Sequence, residues 1–231
     1  GVSTMPSQSD TGARITELPS GLRVVTETMS SVETASVGVW VDVGARDESA
    51  DINGVSHLIE HMAFKGTERR SAQAIAEEVE AVGGHLNAYT SREQTAFYAK
   101  VMKEDVGLAV DVLADILQNS VFDADELARE RPVVLQEIAQ CHDTPDDLVF
   151  DQFQTVAFPD QPLGRSILGP AAQVEAYDRN VLMNYMKTHY APSRMVLAGA
   201  GQIDHDALVD MAANAFDGLS GSATDSRADA A

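Results

Sequence analysis

The chain has 231 residues, 44% of them hydrophobic, one cysteine and a formal charge of −20 at neutral pH. Such a length and apolar content suit a single globular domain with an ordinary core. The acidity argues against nucleic-acid binding, which needs clustered Lys and Arg to displace counterions, no apolar run approaches the roughly 18 residues of a membrane helix, and a lone cysteine excludes an intrachain disulfide.

Residues 1–13 have the polar composition of a disordered arm. Residues 14–18 and 22–27 are β-branched runs around Pro19, Ser20 and Gly21, which predicts a hairpin. Over residues 35–43, Val37, Val39, Val41 and Val43 alternate with Ser36, Gly38, Trp40 and Asp42, the pattern of a strand with one face inward. A polar loop over 47–53 leads through Gly54 into a helix around His57. Ser71 is placed to cap a second helix over 72–82, which Gly83 and Gly84 stop. Residues 85–91 and 94–102, rich in Tyr, Thr, Phe and Val, read as a second hairpin across Arg92 and Glu93.

Helical spacing of Val106, Ala109, Val110, Leu113, Ile116 and Leu117 predicts a core-facing helix over 103–118. The next helix, over 123–139, contains Pro132; a proline costs about 3 kcal/mol in an unbroken helix, so a kink or a restart is expected there. Helices over 146–158, 181–190 and 204–216 and a short buried strand over 194–199 complete the pattern, with a loop over 159–170. The tail from Gly218 is a linker or frayed end. These elements predict an α+β domain over residues 14–217, with about six mainly antiparallel strands and helices packed mostly on one face.

His57-Leu58-Ile59-Glu60-His61 carries the most chemistry. In a helix the two histidines lie one turn apart, about 5.4 Å, on one face, where they can share a metal ion. Glu60 lies on the same side, a carboxylate able to take a proton from a metal-activated water. Two surface histidines on an amphipathic helix would give the same pentapeptide. Against that, Leu58, Ile59 and Met62 make the helix apolar, and idle ionisable groups are costly to bury there.

A catalytic zinc site needs a third protein ligand. Glu130 and Glu137 are the candidates, seven residues apart on one helical face amid Val133, Val134, Leu135 and Ile138. The alternative is a solvated acidic stripe. Cys141, four residues beyond Glu137, offers a fourth ligand for a closed structural site.

The pattern resembles the pitrilysin family of inverzincin metallopeptidases, within it the branch of mitochondrial processing peptidase and its bacterial relatives. The likeness is carried by residues 54–67, Gly83-Gly84-His85-Leu86-Asn87-Ala88-Tyr89-Thr90, Glu130 with Glu137-Ile138, and Gly164-Arg165-Ser166-Ile167-Leu168-Gly169. Glu137 stands 76 residues after His61, the family's spacing. The resemblance implies zinc held by His57, His61 and Glu137, with Glu60 as general base of an endopeptidase. It further implies that Glu130 orients a histidine, that the strand with Asn87, Ala88 and Tyr89 pairs with an extended peptide, and that Phe64 lines an adjoining pocket. Family members consist of two halves closing around a cavity, so a second half or a partner subunit is expected to complete this one. Relatives that have lost ligands serve as scaffolds, which makes a non-catalytic binding subunit the rival reading. One cysteine is compatible with a reducing compartment, and a cytoplasmic setting is favoured over a periplasm or an organelle matrix; the charge would attract basic peptides, or is simply a solvated acidic surface.

Overall fold

A computed structural model of the chain describes residues 12–219. The arm expected over 1–13 and the tail over 218–231 therefore lie, but for two residues each, outside the described residues. The strands are β1 (Ala13–Glu17), β2 (Arg23–Thr28), β3 (Thr34–Val41), β4 (His85–Thr90), β5 (Thr95–Met102) and β6 (Met195–Gly201). They form one sheet in the order β1-β2-β6-β3-β5-β4, with β2–β6 the one parallel pair among the described strands. Both expected hairpins form, β1 with β2 and β4 with β5, and β4 is left as an edge.

Register turns the alternation of β3 into a core. Val39 stands opposite Phe97 on one side and Leu197 on the other, and all three are fully buried. The helices are α1 (Val55–Met62), α2 (Ala72–Glu80), α3 (Val106–Asn119), α4 (Ala124–Asp143), α5 (Pro145–Ala157), α6 (Ala171–Ala176), α7 (Arg179–His189) and α8 (His205–Ala215). In α3 the predicted face, Ala109, Val110, Leu113, Ile116 and Leu117, is buried in that core. Ser71 caps α2 as expected, its Oγ accepting from Ala74 N at 3.0 Å. The return from α1 to α2 is pinned to α3 by buried Asp115, which accepts from Thr67 Oγ1 (2.7 Å), Arg70 Nη1 (2.9 Å) and Asn119 Nδ2 (2.8 Å).

Several local expectations change. The 3-10 turn Ala45–Asp47 leads into the loop over 47–53, which holds a second, Ala50–Ile52, and the stretch after residue 170 forms the short helix α6, too brief to leave a periodic signature. Pro132 causes no restart: α4 runs through it as one helix of 20 residues. Tertiary anchoring on both sides outweighs the missing amide. Asp123 caps the N-terminus with bonds to Asp125 N and Glu126 N, Arg131 Nη2 donates to Tyr177 O, and Leu127, Val134 and Ile138 are buried. Among the described residues no helix is long and apolar enough to cross a membrane.

Pro132 is exposed, and its N would otherwise bond to Ala128 O. Pro132→Ala is therefore expected to raise stability by about 1–3 kcal/mol, seen as a higher urea midpoint at unchanged slope. A lower midpoint would mean that the ring's restraint on the unfolded chain outweighs the missing hydrogen bond.

Candidate metal centre

Helix α1 is short and buried on most sides, with Val55, Ser56, His57, Leu58, Ile59 and Met62 inside. It packs against α4 and β4. Its spacing turns His57 and His61 to one side, ring centroids 4.6 Å apart and 78° between planes. On α4 the apolar stripe Leu127, Val134 and Ile138 faces the core, and Glu130 and Glu137 flank it, so both carboxylates are carried toward α1.

Three groups converge. His57 Nε2 lies 3.1 Å from Glu137 Oε2, His61 Nε2 lies 2.9 Å from Glu137 Oε1, and the two Nε2 atoms are 3.2 Å apart. Glu130 Oε1 lies 2.8 Å from His61 Nδ1 and Lys65 Nζ 3.5 Å from Glu130 Oε2. A carboxylate only accepts, and His61 faces one at each ring nitrogen, Glu130 at Nδ1 and Glu137 at Nε2; a cation at the point of convergence would take the Nε2 lone pair and leave Nδ1 to donate to Glu130. Glu60 Oε2 stands 3.9 Å from His57 Nε2, beside the cluster rather than in it. Paired lone pairs and a carboxylate gathered on one point, with Glu60 and Glu130 close by, form a donor set that fits a divalent cation.

Burial tunes both kinds of group. His57 is 6% exposed, and its pKa is pushed down to about 4, first by burial and then by the charge of His61. A neutral imidazole is the form that binds metal. Burial also lifts the Glu60 carboxyl above its ordinary range; the charge of Glu137 adds to this and that of His61 opposes it.

The cluster opens on a cleft of about 570 Å³ lined by His57, Glu60, Tyr89, Thr90, Glu137 and Ser166, among others. Ala88 also borders it. Asn87 sits on the exposed face of β4, its Oδ1 accepting from Ala88 N at 2.8 Å. Phe64 lines a smaller cavity of about 260 Å³ with Ile75, Val79 and, from β4, His85 and Leu86. Cys141 lines the cleft wall, its Sγ 3.5 Å from Asp151 Oδ2, and takes no part in the cluster. Sequence reasoning missed Glu48, and residues 164–169 stand out there for the likeness they carry and not as neighbours of α1, since these contacts join chain segments far apart.

Two imidazoles and a carboxylate beside an unliganded glutamate, on this α+β sheet, are the equipment of a zinc-peptidase class. The chain belongs to peptidase family M16, the insulinase family: the profile of that family matches residues 23–171, and that of the M16 inactive domain matches residues 176–230. It is 52% identical over 211 residues to a probable mitochondrial-processing peptidase subunit beta of Arabidopsis thaliana, covering 91% of this chain and 40% of that one. Identity is 46% over 215 residues with the mitochondrial-processing peptidase subunit beta of Saccharomyces cerevisiae (93% and 46% covered) and 48% over 203 residues with an uncharacterized zinc protease of Mycobacterium tuberculosis (88% and 46%). The chain thus spans less than half the length of these curated relatives. A protease from Helicobacter pylori has the same fold, with a TM-score of 0.87 at 21% identity over 95% of this chain and 53% of that one.

Glu130 is expected to hold the tautomer of His61. In Glu137→Ala, which removes the carboxylate facing Nε2, nitrogen NMR should find the His61 proton on Nδ1, and adding Glu130→Ala should mix the two tautomers. An Nε2–H tautomer in Glu137→Ala would refute the assignment.

Proposed function

We propose that this chain is the zinc-binding catalytic domain of an endopeptidase. The observation that carries the proposal is the convergence of His57 Nε2, His61 Nε2 and the Glu137 carboxylate within 3.2 Å of one another, beside Glu60 and open to a cleft. A zinc ion held by His57, His61 and Glu137 supplies Lewis acidity, polarising the scissile carbonyl and lowering the pKa of a water toward about 7.

The remaining work falls to the chain's own groups. Glu60 takes a proton from the attacking water and returns it to the amine nitrogen as the C–N bond breaks; its raised pKa makes it a better proton acceptor than an exposed carboxylate. Glu130 fixes the ring of His61 through Nδ1. Strand β4 leaves one row of backbone N–H and C=O groups unpaired within the sheet, and an extended peptide laid along Asn87, Ala88 and Tyr89 would add a strand there, bringing its backbone beside the cluster. The cavity at Phe64 takes an apolar side chain of that peptide. A second half of a longer protein, or a partner subunit, closes the cleft from its open side; the greater length of the relatives supports this.

In the full-length protein, Glu60→Gln should keep stoichiometric zinc yet lose about 10²–10⁴ in kcat on an unfolded peptide, and His57→Ala should lose the zinc as well. Equal hydrolysis by Glu60→Gln, or a zinc-free parent protein with full activity, would sink the mechanism.

A further inference from the structure

Gly54 opens α1 in the left-handed region, φ 95°. A Cβ there would stand 2.5 Å from Leu168 O and 3.0 Å from Gly169 Cα, while a Cβ on Gly169, at φ +79°, would stand 2.3 Å from Asn53 O. The two backbones touch, and only glycine fits on either side. One consequence is that the residue at the start of α1 has no side chain with which to cap it, although the first amides of this helix are buried and need acceptors.

Glu48 supplies the acceptors from six residues upstream. It is 1% exposed; its Oε1 accepts from Gly54 N at 3.0 Å and Asn53 Nδ2 at 3.2 Å, and its Oε2 accepts from Ser56 N at 2.7 Å. Asn53 Nδ2 also donates to Ser166 O at 3.0 Å, and Arg165 Nη2 donates to Glu48 O at 2.7 Å. Residues 166–168 in turn line the cleft beside the cluster. Burial pushes the Glu48 carboxyl up to about 7, a desolvation cost that the donors of Asn53, Gly54 and Ser56 and the positive end of α1 offset only in part.

We propose that Glu48 is a positioning residue of the metal centre, its carboxylate capping α1 from outside and setting where His57, Glu60 and His61 stand against the wall formed by residues 166–168. The inference rests on the metal-site reading given under Proposed function. A glutamine at this position keeps the volume but has one acceptor oxygen, so its amide group must face either Gly54 N–H or Ser56 N–H, donor against donor. The start of α1 is then uncapped without a cavity being made.

The test compares the full-length protein with Glu48→Gln, using Asp115→Asn as a control for the loss of a buried carboxylate remote from the cluster. Glu48→Gln should weaken zinc binding about 10–100-fold and lower kcat with KM little changed, as for residues that orient ligands from outside the metal's own shell. In the metal-free form it should speed amide exchange at Gly54 and Ser56, a readout independent of zinc. Asp115→Asn should lower Tm and leave zinc affinity within about twofold of the parent. If Glu48→Gln behaves like Asp115→Asn, losing Tm alone, the inference fails while the metal site stands. If the parent protein itself does not bind zinc, the metal-site reading fails and takes this inference with it. Should Glu48→Gln not fold, Asn53→Ala removes one donor and the tie to Ser166 O; severalfold weaker zinc binding supports the proposal and an unchanged affinity overturns it.

Discussion

The contact between α1 and α4 is the constraint from which the site follows. An eight-residue helix does not hold itself in water, so α1 owes its conformation to the core around Leu58, Ile59 and Met62. Helix α4 joins the same core through Leu127, Val134 and Ile138, and this stripe fixes its rotation about its own axis. Once the rotation is set, Glu130 and Glu137, two turns apart, have to arrive at the two histidines. Hydrophobic packing therefore determines a polar geometry, and the packing has to be tight for three donor atoms to reach within 3.2 Å of one another.

That geometry carries an electrostatic cost. Glu60, Glu130 and Glu137 gather around two imidazoles, one of them held neutral by burial, with Lys65 as the nearby cation. Negative charge is in excess at the cleft, and each carboxylate that loses water must find a partner or raise its pKa, as Glu60 does. A divalent cation would relieve this excess, which makes these residues a donor set suited to metal. Sites of function commonly break the local rules of stability in this way.

Much of the architecture was legible because its signals are local. The alternation of β3, the Ser71 cap, the hairpin across Arg92 and Glu93, and the one-turn and two-turn spacings of His57 with His61 and Glu130 with Glu137 all lie within single elements. Other features depend on distant packing. Pro132 is a helix breaker by propensity, and α4 continues through it because both flanking turns are anchored elsewhere. Glu48 looks like one more acid in a polar loop, since its role comes from a loop more than a hundred residues later pressing on Gly54.

The donor set also bears on whether the site is structural or catalytic. A closed structural site completes four protein ligands, usually with cysteine. Cys141 is near enough to line the same cleft, yet its Sγ points to Asp151 and burial raises its pKa, away from the thiolate that metal binding requires. The three donor groups face a cleft of about 570 Å³, and Glu60 stands beside them, 3.9 Å from His57 Nε2. A donor set that faces a cleft, with the half-buried Glu60 at its edge, supports the hydrolytic reading proposed above over mere cross-linking of the fold.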